Sequence, residues 1–299
     1  MRKSFWKTTT FHYLLMLLPA VALALVFSIA PLTGIIMAFQ DFNPGKGMFR
    51  SEFIGLDNFR DLLVDPQIYQ IIKNTVYISL MKMAAGIIVP IVFALLLNEL
   101  RVRFFKRTVQ TIVYLPHFLS WVIIAGIIKD MFAKDGVINM MLGSIGIEAV
   151  SFLGSNFWFR PLLVTTDVWK EFGFAAVVYL AALTSISPSL YEAADMDGAT
   201  RLQKLRHVTI PGITTTIVLL GTLSLQNVLN AGFDQVFNLY NDLVFASGDI
   251  IDTYVYRVGF QQINFEIGTA VGLFKSVISM FLIVGAYKLA DRFAGYRIF

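Results

Sequence analysis

Cysteine is absent from this chain, which excludes disulfides, thiolate nucleophiles and thiolate metal sites. Histidine occurs three times, at His12, His117 and His207, and never as a pair at helical spacing. Charge is scarce as well: Asp, Glu, Lys and Arg make up 15% of the residues, against about 25% in an ordinary soluble domain. The sequence holds no G-x-x-x-x-G-K-[ST], no G-x-S-x-G and no H-E-x-x-H. It therefore carries no P-loop, no serine-hydrolase elbow and no zinc-protease helix. Apolar residues are what it has: 57% are hydrophobic and the mean hydropathy is +0.69. A 299-residue chain cannot hide this much apolar surface in a core, so the bilayer is its solvent. The pI near 9.2 is not a nucleic-acid signal, because the basic residues stand at the ends of apolar segments, as orientation signals do.

A bilayer-crossing helix needs about 20 mainly apolar residues. Six segments meet this: 12–39, 72–98, 109–129, 162–186, 210–232 and 268–289. The first is too long for a signal-peptide core and leads into further spans. Placing the N-terminus in the cytoplasm puts four basic groups inside: Arg2, Lys3, Lys7; Arg101, Arg103, Lys106, Arg107; Arg201, Lys204, Arg206; and Lys288, Arg292, Arg297. These are 13 basic residues against the 5 acidic ones on that side (Glu99, Glu192, Asp195, Asp197, Asp291). In the outer segments 40–71, 130–161 and 233–267 acidic residues outnumber basic ones. Both termini are expected inside. Phe157, Trp158 and Phe159, just before the fourth span, read as an interfacial aromatic belt.

Between the fourth and fifth spans lies a polar island, 187–211. Ser187 is a good N-cap, and Pro188 suits the first helical position. Glu192, Ala193 and Ala194 form helix readily, and Gly198 suits a left-handed helix stop. A second helical piece is expected at about 200–207, and Pro211 in the first turn of the next span. Small alanines let a partner backbone come close, and Glu192, Asp195 and Asp197 offer charge to a basic or amide-rich groove. A solvated loop with ordinary caps explains the serine, proline and glycine. It does not explain E-A-A-x-x-x-G, nine residues, then Val208-Thr209-Ile210-Pro211.

That pattern resembles the EAA loop of ABC-importer permeases, whose usual form ends I-x-L-P; Val208 and Ile210 are mild aliphatic departures from it. The likeness extends along nearly the whole chain. It includes Tyr114-Leu115-Pro116-His117-Phe118, Asp167-Val168-Trp169-Lys170, Leu190-Tyr191-Glu192-Ala193-Ala194, the run Asp249 to Arg257, and Ala270-Val271-Gly272-Leu273-Phe274-Lys275. These resemble the polysaccharide and oligosaccharide permeases of the carbohydrate-uptake class, including alginate importers. The resemblance implies an all-α integral membrane fold of the type I ABC-importer kind, one transmembrane domain over 1–299, in a bacterial inner membrane. It implies four kinds of partner: a second homologous permease subunit, two ATP-binding cassette subunits, an extracellular or periplasmic sugar-binding protein, and an oligosaccharide substrate. ATP and magnesium are then bound by the ATPase partner, and this chain has no cofactor. Glu192, Ala193, Ala194, Asp195, Asp197 and Gly198 would form the coupling helix.

Polar residues at membrane depth are costly, about 2.5–3.5 kcal/mol for a central charge by insertion scales, so they face a cavity or a partner. The path candidates are Lys82, Asp167, Trp169, Lys170, Glu171, Gln226, Asn227, Asn230 and Lys275. Their bland reading is an Asp167–Lys170 ion pair at spacing three and interhelical amide bonds. Their functional reading is a sugar path, with Trp169, Phe233, Phe237 or Tyr240 stacking on sugar faces. Lys73, Lys82, Lys170 and Lys275 against Asp167 and Glu171 leave a surplus of two positive charges, which would suit a uronate. Gly268 and Gly272 form a G-x-x-x-G that marks close helix packing. His117 reads as a packed or hydrogen-bonded histidine. A gradient-driven secondary transporter is the alternative, with Asp167 and Glu171 as its only membrane carboxylates; a membrane enzyme ranks below both.

Overall fold

The structure, a computed structural model, describes residues 9–294. Arg2, Lys3, Lys7 and Arg297, part of the charge count that orients the termini, lie outside the described residues.

The chain is helical almost throughout. α1 (Thr9–Ala24) continues through a π-helical turn, Leu25–Ile29, into a 3₁₀ stretch, Ala30–Phe39. A two-strand antiparallel ribbon, β1 (Gln40–Asp41) and β2 (Glu52–Phe53), precedes α2 (Asp57–Val64). Then come α3 (Pro66–Glu99), α4 (Arg103–Tyr114), α5 (Trp121–Met131), α6 (Val137–Ser144) and α7 (Asn156–Thr184). α8 (Pro188–Met196) and α9 (Arg201–Lys204) form the island, followed by α10 (Ile210–Leu225) and α11 (Phe233–Leu239). Two short helices, α12 (Phe245–Gly248) and α13 (Ile251–Tyr256), lead to α14 (Phe265–Ala294).

Four helical runs are long and apolar enough to cross a membrane: Phe11–Phe39, Pro66–Glu99, Arg201–Leu225 and Phe265–Gly285. Two bent pairs raise the number to six if each makes one crossing, α4 with its 3₁₀ extension plus α5, and α7 plus α8. The segment 109–129, expected as one helix, is instead broken, with a bend of 104° between Arg103–Phe118 and Trp121–Met131. The bend falls at Leu119 and Ser120, whose backbones are extended, with ψ 142° and 151°; just before it, around Pro116, which has no N–H to donate, the chain tightens to 3₁₀ at Leu115–Phe118. Ser120 then caps α5, its Oγ accepting from the Ile123 N–H at 3.4 Å. The fifth apolar segment, expected to stay helical to Gly232, stops as a helix at Leu225.

The contacts divide the chain into two units, 1–65 with 255–274, and 66–254 with 275–299. In the first, Phe39 packs on Phe53 and Phe59, with ring centroids 6.4 and 5.3 Å apart. Buried Asn58 donates to the Ala38 and Gln40 carbonyls at 3.0 Å each. A Cβ at Gly268 would lie 3.0 Å from the Gly259 Cα, while one at Gly272 would meet nothing within 4 Å. Only the first glycine of the expected G-x-x-x-G pair therefore marks a close backbone approach.

In the second unit, α3 and α7 make the largest interface between helices. Ile78, Ile124, Ile128, Phe159, Leu163, Val236 and Ile250 form one buried cluster. Ala94, Ala176, Tyr179, Leu183 and Ile213 form another. Phe159 is fully buried, so the expected aromatic belt loses its third member to the core. Its ring lies against Gly248, where a Cβ would come within 2.3 Å of it. Between α3 and α7, the Arg160 guanidinium donates to Asn74 Oδ1 at 2.7 Å and to the Ser247 carbonyl at 3.1 Å. Asn74 in turn donates to the Asp249 carbonyl at 3.0 Å.

Candidate functional site

Two places gather the residues singled out above: the polar island and a cavity among α3, α7 and the end of α10.

The island folds as helix, corner, helix. Ser187 occupies the N-cap position of α8 but its side chain caps nothing; its hydroxyl lies 2.8 Å from that of Ser189 instead. At the other end Gly198 is left-handed, with φ +72°. Its N–H donates to the Asp195 carbonyl at 3.1 Å, and the Ala199 N–H donates to the Ala194 carbonyl at 2.9 Å. These two bonds are the Schellman closure of a helix end, which needs a left-handed residue at this position. Thr200 then starts α9 with a reciprocal capping box to Gln203, which satisfies free N–H groups at both positions. Lys204 Nζ reaches back to Asp195 Oδ1 at 2.6 Å, and the Tyr191 and Thr209 hydroxyls meet at 3.0 Å. The two arms are thus clipped at the corner and at the base. Between them Leu190, Ala193, Ala194, Gly198 and His207 line an open groove of ≈ 490 Å³. Glu192, Asp195, Met196 and Asp197 are exposed. Pro211 lies within a helical run that continues from α9; the π turn Leu205–Thr209 precedes it and absorbs the hydrogen bond that proline cannot make.

The cavity, ≈ 310 Å³, is lined by Ser79, Lys82, Asp167, Ser224, Asn227 and Asn230, with Met83, Ala231 and Gly232. Four of the nine path candidates meet here: Lys82, Asp167, Asn227 and Asn230. The helix stop at Leu225 makes the meeting possible. Residues 226–231 turn, and Gly232 takes φ +87°, a value that glycine adopts without steric cost. Lys82 is 9% exposed, and its ammonium is fully engaged. It bonds Asp167 Oδ1 at 3.2 Å, the Ala231 carbonyl at 2.7 Å and Gln235 Oε1. Gln235, fully buried, donates onward to the Leu163 carbonyl and to Thr166 Oγ1, both at 2.8 Å. An ammonium has three protons, and all three are used.

The expected Asp167–Lys170 pair does not form. Asp167 pairs across to Lys82 on α3, and Lys170 pairs with the adjacent Glu171 at 2.9 Å. Lys170 also donates to the His117 carbonyl at 2.8 Å. Glu171 meets His117 Nδ1 at 2.7 Å, and the His117 ring stacks on Phe174 with centroids 4.1 Å apart. His117 is packed and hydrogen-bonded, as expected. Lys275 pairs with Asp252 at 2.5 Å. The expected surplus of two positive charges shrinks to one: Lys82, Lys170 and Lys275 each have a carboxylate, Asp252 of the outer segment joins the count, and the remaining cation, Lys73, is exposed. Trp169, Lys170, Glu171, Gln226 and Lys275 are not among the cavity's lining residues. Trp169 is 47% exposed, and Phe233, Phe237 and Tyr240 lie in a ladder on one another. Sequence reading missed Ser79, Ser224 and Gln235. Ser79 stands three positions before Lys82 on the same face of α3, and Ser224 lies in the last turn of α10 before Asn227; nothing local marks Gln235.

Helices long and apolar enough to cross a membrane, a polar cavity between them and an exposed helix–corner–helix loop are the build of a transport permease. Comparison with known proteins gives its family. Residues 86–294 match the binding-protein-dependent transport system inner membrane component, and the chain belongs to that family. It is 41% identical over 280 residues to protein LplB of Bacillus subtilis (strain 168), covering 93% of this chain and 88% of that one. It is also 41% identical over 286 residues to the polygalacturonan/rhamnogalacturonan transport system permease protein YteP of the same organism, with 95% and 89% covered. A crystal structure of a bacterial ABC transporter involved in the import of the acidic polysaccharide alginate superposes with a TM-score of 0.88 at 39% identity. That match covers 97% of this chain and 99% of the other. A second alginate transporter structure, in complex with an alginate pentasaccharide-bound periplasmic protein, gives 0.86 at 38% identity, with 97% and 98% covered. The chain is thus a multi-pass membrane permease of the ABC-importer kind and not an enzyme, which sets aside the gradient-driven and enzymatic readings.

Proposed function

We propose that this chain forms half of the translocation path of an ATP-driven, binding-protein-dependent oligosaccharide importer. A second, homologous permease supplies the other half, and two ATP-binding cassette subunits dock on the paired EAA loops. These subunits hold ATP and its magnesium; this chain transmits their motion. Both termini and the island face the cytoplasm. The observation that carries the reading is the exposed α8–Gly198–α9 corner on a chain of this family: a rigid, clipped element with an open groove and no nucleotide motif. ATP-driven closure of the cassettes pushes α8, and the spans switch as rigid bodies between inward-open and outward-open states. Lys82, Asp167, Asn227 and Asn230 border the sugar path, their amides and carboxylate facing hydroxyl groups.

The substrate class is an acidic oligosaccharide. Its support is the relatives' substrates, polygalacturonan/rhamnogalacturonan and alginate, rather than free charge in the cavity. Binding-protein-dependent ATPase stimulation by a panel of neutral and acidic oligosaccharides tests the substrate. Gly198→Asp tests the coupling: it forces a β-carbon into the left-handed corner, at about 1–2 kcal/mol, and adds charge at the groove. We expect it to abolish ATP-dependent uptake and to weaken co-purification of the cassette subunits. Unchanged uptake in this variant and in Glu192→Lys refutes the docking role.

A further inference from the structure

α3 ends at Glu99, and after Leu100 the seven residues Arg101–Arg107 contain four basic residues and no acidic one. A helix of 34 residues reaches about 51 Å at 1.5 Å per residue, longer than the ~30 Å hydrocarbon core, so cations just past its end stand at or beyond a membrane surface. Among the described residues Arg101, Arg103, Lys106 and Arg107 have no ion pair. Lys82, Lys170 and Lys275 each have one.

α4 continues from this cluster as a 12-residue amphipathic helix. Val109 and Val113 lie on its inner side, and the Val113 carbonyl stands against Gly173 of α7. The remaining surface divides in two. At 100° per residue, Arg103, Lys106 and Arg107 fall on one sector and Phe104, Phe105, Ile112 and Leu115 on the adjoining one. Phe104 is 81% exposed, Phe105 54%, Ile112 65% and Leu115 61%. An exposed apolar strip bordered by unpaired guanidinium and ammonium groups has the layout of a helix held at a lipid interface. The apolar strip matches acyl chains, and the cations match phosphate.

We propose that Arg101, Arg103, Lys106 and Arg107, with the apolar strip Phe104–Leu115 beside them, form a binding site for anionic phospholipid. Phosphate takes the guanidinium groups, Arg being able to offer two parallel N–H donors, while Phe104, Phe105, Ile112 and Leu115 lie along the acyl chains. The layout argues for lipid rather than for an acidic protein surface, because the exposed apolar strip is continuous with the cations along one helix. None of the site's residues lines the island groove or the cavity. It also anchors α4 just before the 104° bend into α5, so that lipid holds the arm that packs on α7.

The test uses the full chain, purified with the subunits it assembles with and placed in nanodiscs of phosphatidylcholine containing spin-labelled phosphatidylglycerol or spin-labelled phosphatidylcholine. The measured quantity is the association of the anionic label relative to the neutral one. Each cation near an anionic surface strengthens binding by roughly fivefold. The wild-type chain should enrich the anionic label severalfold over the neutral one. The variant with all four residues changed to Gln should lose most of that preference, and the all-Lys variant should keep most of it. The same preference in the wild-type and all-Gln proteins overturns the proposal. So does an all-Gln variant that sheds a protein subunit while its lipid preference is unchanged, since the patch then serves a protein partner.

Discussion

Replacing Lys82 by Met separates a strut from a ligand. The side chain stays unbranched, one heavy atom shorter, and loses three hydrogen-bonding protons. Asp167 Oδ1, the Ala231 carbonyl and Gln235 Oε1 all lose their donor. Breaking a buried ion pair from one side costs about 3–5 kcal/mol, and an orphaned buried acceptor adds about 1–3 kcal/mol. Asp167 is 26% exposed, so water compensates part of its loss, and a net cost of about 3 kcal/mol is expected. The expected readout is a large drop in the apparent unfolding midpoint of the purified complex. Asp167→Leu should cost less alone, because Lys82 keeps two acceptors. The double variant should recover about 1–3 kcal/mol relative to the sum of the singles, the range found for contacting pairs. Uptake of neutral and acidic oligosaccharides should fall together, since no proton of Lys82 is free for a uronate. A Lys82→Met protein with normal stability, normal neutral-sugar uptake and lost acidic-sugar uptake refutes this account, and makes Lys82 an anion ligand.

Two further substitutions probe what surrounds that knot. Gly173→Leu places a β-carbon 2.5 Å from the Val113 carbonyl, a backbone atom that cannot swing aside; overpacking of this kind costs about 1–3 kcal/mol, read as a lowered unfolding midpoint and as protease cleavage between α4 and α5. Lys275→Met strips Asp252 of its partner at 21% and 24% side-chain exposure; we expect about 1–3 kcal/mol of destabilisation and equal loss of neutral and acidic uptake, and a loss confined to acidic sugars counts against a structural pair.

Much of the helical plan was legible. Long apolar runs announce themselves because each crossing must be apolar whatever it packs against. The bend that follows Pro116 carried a local signal, a proline inside an apolar run, that hydropathy averages away. The end of α10 at Leu225 was harder, since Gln226, Asn227 and Asn230 read as polar punctuation of a continuing helix. What makes them a turn is the buried Lys82 arriving from 149 residues away to bond the Ala231 carbonyl. The residues of the cavity were half legible: the charges stood out because charge is costly in a bilayer, whereas Ser79, Ser224 and Gln235 are unremarkable until their neighbours are known.

The sequence by itself determined the membrane class and the shape of the island. A left-handed glycine, a capping box and small alanines act within a few residues, so Gly198, Thr200 and Gln203 specify the corner without help from the rest of the chain. Only the tertiary structure decided which charges are free. Asp167 had a lysine three positions along its own helix, and it pairs instead with one 85 residues away. In a low-dielectric interior a charge is stabilised by the partner that is closest and best oriented, and packing of α3 on α7 sets that distance. Periodicity shows which residues share a face; it does not show what the face meets.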